Sequence, residues 1–212
     1  MSRPIHLSEV RPISEFVAAR PRIEAELLAT KRSRRVRLGD HLTFLFENRD
    51  TVLWQVQEMC RVEQIILPAA IQAELDTYNP LLPGASELSA TILLEYEDAQ
   101  ERDLAVRQLL GIDQHLWLQF GGDPEAQTAP IRRTGKIGSI ARFRLDGAQF
   151  NQERVSSVQF ARLPLTPVQR AALANLNEPV RLYCSHPAYL AETTLPASVR
   201  AALVDDLNAA AG

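Results

Sequence analysis

Two cysteines in 212 residues are too few for a disulfide framework or a four-thiolate metal site. Nine glycines and thirteen prolines, scattered along the chain, exclude a fibrous or low-complexity protein. Neither charge sign dominates: 23 basic against 26 acidic residues leave a net charge of −3 and a pI near 5.9. That excludes a surface tracking phosphates all over, while leaving room for a local basic patch. Long apolar runs are missing as well. The longest, Ile65 to Ile71, is broken by Pro68 and falls far short of the ~20 residues that span a bilayer. Met1 to Ala19 has no continuous apolar core of the kind a signal peptide needs. The expectation is a cytoplasmic protein, with no membrane contact, in which Cys60 and Cys184 stay reduced.

Several catalytic signatures are also absent. None of the four histidines follows a glutamate by three positions, so the Glu-x-x-His pairs of a di-iron bundle do not occur. His-Glu-x-x-His, the dinucleotide fingerprint and Gly-x-Ser-x-Gly are missing too. Gly135-Lys136 lacks P-loop spacing and leads into a strand, whereas a phosphate cradle needs a helix N-terminus.

What remains is an ordinary globular composition, 46% hydrophobic and 23% charged, sized for one domain over 1–212. Arg3 to Arg11 reads as a loosely ordered lead-in; Ser14 caps a short turn, and Pro21 opens a helix to about Arg32. Val36 to Phe46 reads as a hairpin around Gly39-Asp40, completing an N-terminal unit over 13–46. Two polar helices follow within 48–80, Thr51 to Ile66 and Ala69 to Tyr78, closed by Asn79-Pro80. Glu87 to Tyr96, a helix capped by Asp98, and His115 to Phe120 form a β-α-β unit over 87–121. Gly121 to Thr134 is loop. Within 137–209 come strands at Gly138 to Leu145, Val155 to Leu163 and Val180 to Cys184, and helices from Thr166-Pro167 and Leu195. The pattern predicts an α+β fold, a largely antiparallel sheet with helices mainly on one face.

The densest candidate for function is the polar block Glu47, Asn48, Arg49, Asp50, Glu58, Arg61, Glu74, Asn79 and Glu87, with Gln55, Gln57, Glu63 and Asp76 among them. Paired carboxylates there could exchange protons or hold a divalent cation, with Arg49 or Arg61 anchoring a small anionic substrate. The same residues also suit helix caps and a solvated face. Cys184 and His186, two apart at a strand end, are a weak metal or nucleophile–base candidate that would need help from Cys60 or His115. Two basic clusters, Lys31, Arg32, Arg34, Arg35 and Arg37, then Arg132, Arg133, Lys136, Arg142 and Arg144, could grip phosphate if they converge. Few aromatics accompany them, so nucleic acid is disfavoured.

The words Phe46-Glu47-Asn48-Arg49-Asp50-Thr51, Gln57-Glu58-Met59, Glu74-Leu75-Asp76-Thr77-Tyr78-Asn79-Pro80 and Glu87-Leu88-Ser89-Ala90-Thr91 resemble the bacterial domain-of-unknown-function family thirty-five-oh-one, over nearly the whole chain. The resemblance implies a genomic setting: such genes often neighbour one for rubrerythrin, a non-haem iron peroxide scavenger, and one for an iron–sulfur oxidoreductase. It carries over no catalytic residue. The expectation is an accessory or binding protein of a rubrerythrin-linked redox or peroxide-defence system, without a redox cofactor of its own. A carboxylate enzyme and a nucleic-acid binder are the alternatives.

Overall fold

A computed structural model describes residues 3–122, 139–145 and 153–211. Helix α1 (Ile13–Arg32) leads into strands β1 (Arg35–Leu38) and β2 (Leu42–Phe46), then helices α2 (Arg49–Val62) and α3 (Pro68–Tyr78). β3 (Glu87–Leu94), α4 (Ala99–Gln108) and β4 (Leu116–Phe120) follow, then β5 (Ser139–Arg142) and β6 (Arg144–Leu145). The chain finishes with β7 (Val158–Pro164), α5 (Pro167–Ala174), β8 (Val180–His186), β9 (Tyr189–Thr194) and α6 (Ala197–Ala209). Two antiparallel sheets result, ordered β1-β2-β3-β7-β6 and β5-β4-β8-β9, so the fold is α+β.

Alternation on the strands builds one core between the sheets. Leu42, Phe44 and Phe46 of β2 face Leu116, Leu118 and Phe120 of β4 across it, with Leu88, Ala90 and Ile92 of β3 in the same cluster. The sheets join at both edges. The segment 139–145 pairs with β4 through residues 139–142 and with β7 through residues 144–145. At the switch Phe143 turns inward against Phe44, ring centroids 5.2 Å apart. On the opposite edge the Tyr189 hydroxyl of β9 donates to the Leu38 carbonyl (2.7 Å) and accepts from the His41 and Leu42 amides (3.0 and 3.2 Å). Gly39 sits beneath it at φ +63°, where a Cβ would lie 2.6 Å from that hydroxyl, so the turn needs glycine twice over.

Helices α1, α2 and α3 lie on the outer face of the first sheet around a second, smaller cluster: Ile5, Val52, Val56, Cys60 and Leu75, with Phe160 of β7 against it. Because β3 is thus covered on both faces, Ser89 and Thr91 are buried although they point away from the main core. Helices α4, α5 and α6 contribute Val106, Leu173, Leu203 and Leu207 to the core between the sheets. Two arginines fasten the C-terminal helix. Arg34 forks onto Asp206 (2.9 and 2.7 Å), and buried Arg200 donates to the carbonyls of Leu173, Ala172, Asn175 and Glu178 at 2.6–3.0 Å. The second arrangement puts a cation on the carbonyl end of α5, where the dipole favours it.

Five local expectations change. Helix α1 starts at Ile13 and runs through Pro21 instead of starting there; the proline is exposed, so water can serve the carbonyl it leaves unpaired. Helix α2 stops at Val62, four residues short of the expected end, because Gln64 turns left-handed (φ +54°) and the Ile65 amide closes onto the Cys60 carbonyl. The strand–helix–strand order over 87–121 is present, but β3 and β4 belong to different sheets, so no parallel crossover forms. The hairpin partner β9 has no matching signal in the sequence pattern: its outward residues include Leu190 and Glu192, an edge pattern without a clean apolar period. The lead-in is pinned, not loose, with a turn of helix at Leu7–Glu9 and Ile5 buried. Among the described residues no helix is long and apolar enough to cross a membrane.

Candidate functional site

The polar block divides into groups that hold the helical layer together and groups that line a surface. Glu47 belongs to the first. Its carboxylate is buried between β2 and α2, accepting from the Thr51 and Thr91 hydroxyls and from Gln55 Nε2 (3.0 Å). Burial pushes its pKa up, against the pull of those hydrogen bonds and of Lys31. Asn48 caps α2 by accepting from the Thr51 amide, while the Thr51 hydroxyl accepts from the Asn48 amide.

Two side-chain amides clamp the N-terminal segment. Asn79 accepts from the Ile5 amide (2.8 Å) and donates to its carbonyl (3.0 Å). Gln57 does the same for Arg11, at 2.9 and 3.2 Å. A side-chain amide thereby stands in for a strand partner at two backbone positions, which is why the lead-in is ordered. Glu9 in that segment takes Arg49 Nη2 on both oxygens (2.6 Å each) and Arg3 at 2.9 Å. The hydrogen bond from Arg49 and that from the His6 amide hold its pKa at about 2.

Glu58 is clamped between Arg20 (2.8 Å) and Arg61 (2.9 Å), and the Arg20 guanidinium lies over Trp54, 5.3 Å from the ring centre. Burial pushes Glu58 upward, but the two arginines outweigh it and keep the carboxyl below its ordinary range. Glu87 bonds Arg162 across two strands. Glu74 faces Cys60 and Tyr78, raising both beyond what their burial does. These carboxylates are therefore spread along the layer, each with its own partners. Among the described residues no three His, Cys, Asp or Glu side chains gather as a metal site would need.

Cys184 and His186 both point inward on β8. Burial pushes the Cys184 thiol up to about 11, the wrong direction for a nucleophile. His186 accepts from the Ala188 amide at Nδ1 (3.1 Å) and donates from Nε2 to the Leu110 carbonyl (3.0 Å), so both ring nitrogens are spent. Of the first basic cluster, Arg34 is spent on Asp206 and Arg35 pairs with Glu95 (2.6 Å), while Arg32 ends α1, exposed. Arg142 of the second cluster sits over Trp117, 5.9 Å from the ring centre. Arg132, Arg133 and Lys136 lie outside the described residues.

Three of the block's residues do meet on a surface. Asn48, Arg49 and Asp50, at the first turn of α2, line a depression of about 520 Å³ together with Arg3, Asp205 and Asp206. Asp50 also borders a second cleft, about 310 Å³, between α1 and α2, where Arg11, Arg22, Glu26, Trp54 and Gln57 contribute. The two depressions thus meet at one exposed carboxylate, flanked by cations on both sides and an aromatic ring on one. Arg3, Arg22, Trp54 and Asp205 were not singled out from the sequence. Nothing in their spacing marks them, because positions 3, 22, 54 and 205 are brought together only by packing.

Residues 4–207 match the family described as "Protein of unknown function (DUF3501)". No curated protein matches. A crystal structure of a novel protein of unknown function from Burkholderia pseudomallei K96243 shares 28% identity and superposes with a TM-score of 0.82. The similarity covers 96% of this chain and 99% of that one.

Proposed function

Because the chain belongs to the DUF3501 family, whose function is unknown, we propose its function from its geometry: a binding or accessory protein whose contact surface is the pair of clefts meeting at Asp50. The observation that carries this reading is the division of labour in the polar block. Glu47, Glu58, Glu87 and Asn79 are consumed in fastening the helical layer and the N-terminal segment, whereas Asp50 is exposed where the two depressions meet, with Asn48 and Arg49 lining one and Gln57 the other. Such an arrangement makes a stiff, charged, partly aromatic face, which suits recognition of another macromolecule's charged surface.

The genomic setting that the resemblance implies supplies the partner class. The chain acts in the bacterial cytoplasm beside a rubrerythrin-type peroxide scavenger or an iron–sulfur oxidoreductase, and contributes no redox centre itself. The test is co-purification from native extract with tagged wild-type protein and with Asp50→Lys and Arg22→Glu variants. Among the described residues the Asp50 side chain makes no hydrogen bond or ion pair for the change to break, only a favourable helix-terminus charge worth about 0.5 kcal/mol, and Arg22 gives up one exposed pair with Glu26, so both variants fold. Enrichment of either redox protein by the wild type and its loss in the variants is expected. Absence of both from the wild-type eluate overturns the partner assignment, and equal recovery by the variants overturns the surface.

A further inference from the structure

The longest apolar stretch of the chain, Ile65 to Ile71, packs its two ends against the smaller core and leaves its middle in water. The left-handed Gln64 ends α2 and throws the chain outward, so Ile66 is 71% exposed and Leu67 67% exposed, beside exposed Val62 and Pro68. Next to this projection is a hole of about 260 Å³ lined by Leu7, Val10, Ile13 and Ile71, with Cys60 among the lining residues. A knob and an apolar hole side by side are a contact site, since monomers rarely leave such surface to water. The hole is smaller than sites that enclose drug-sized ligands, and it suits one or two side chains of a protein.

Charge chooses the occupant. Arg11 borders the hole, its backbone held by Gln57, and its guanidinium has no ion-pair partner among the described residues. Glu63, one residue beyond α2, is exposed and equally without one. The patch therefore carries one free positive and one free negative charge, which is the complement of itself. In a two-fold contact each residue i meets j and each j meets i. We propose that this corner is a homodimer interface, in which Leu67 of each copy enters the hole of the other and Arg11 of each copy pairs with Glu63 of the second. The surface shares only Arg11 with the clefts at Asp50, and its test reads self-association, so it does not rest on the function proposed for them.

Sedimentation equilibrium on the full chain, from low micromolar to near-millimolar concentration, tests this. The expected mass at the upper end is about twice 23.7 kDa. Leu67→Glu, at a site exposed enough to leave the fold unchanged by circular dichroism, gives a monomer throughout. Arg11→Glu and Glu63→Arg each weaken association by about tenfold, and the double charge swap recovers it. A wild-type monomer at every concentration overturns the proposal. So does a dimer that ignores Leu67→Glu, or a double swap that remains as weak as either single variant.

Discussion

Replacing Glu47 separates the two things its carboxylate does, which are to accept hydrogen bonds and to carry a charge out of water. Glu47→Gln keeps the shape and an acceptor for Thr91 or Gln55, while Thr51 can accept from the new amide. Glu47→Ala removes every acceptor. Thr51 then still has the Asn48 carbonyl at 3.0 Å, but buried Thr91 is left without its partner. Such a stranded hydroxyl costs about 1–3 kcal/mol, and a small cavity adds to it, so about 3 kcal/mol is the expected loss for Glu47→Ala. Glu47→Gln should change stability near neutral pH by no more than about 1 kcal/mol, and in the stabilising direction, because the cost of burying the charge outweighs the attraction of Lys31 and the hydrogen bonds.

The pH dependence gives the sign. The folded-state pKa of Glu47 lies above 4.5, so the native state binds more protons than the unfolded state in the window between 4.5 and that raised value. Its contribution is fully present below pH 4.5 and is lost as pH rises through the folded pKa. The stability of Glu47→Gln minus that of the wild type therefore grows as pH rises through that window, then levels off. Urea denaturation followed by fluorescence of Trp54 and Trp117, at several pH values, measures it. A Glu47→Gln protein as unstable as Glu47→Ala, or a difference independent of pH, refutes the reasoning.

The Arg34–Asp206 fork joins α6 to the first strand from almost complete burial, so removing either partner should cost about 3–5 kcal/mol and removing both clearly less than the sum; additive losses in chemical denaturation count against a coupled pair. Glu9 behaves oppositely to Glu47. With its pKa held at about 2, it contributes stability above pH 4.5 that is lost as pH falls toward that value, and Arg49→Gln should return its titration, read by carboxyl NMR shifts, toward 4.5. An unchanged Glu9 titration in that variant removes Arg49 as the cause.

Much of this molecule could be read from local chemistry. Asp98 before α4, Gly111 after it and Thr166-Pro167 before α5 are chain-local signals, and each sits where its hydrogen bonding or φ requires. The candidate site was less legible. Glu47 looks in sequence like the acidic residues around it, yet it alone lies between two layers, because β3 is covered on both faces and takes Thr91 inside with it. Glu58 stands one turn from Arg61 in the sequence and pairs with it, but its second partner Arg20, 38 residues away, and the Arg162 that occupies Glu87 from 75 residues away come only with packing.

Periodicity, caps and turns act over a few residues, and they alone determined the α+β character, most element positions and the apolar stripes that become the two cores. Which strand leaves one sheet for the other at Phe143, which side of α2 opens to water, and which charges are already satisfied were decided by contacts between positions far apart in the chain. Those contacts depend on how whole layers stack, and a linear pattern holds no record of the stacking until the apolar faces close on each other.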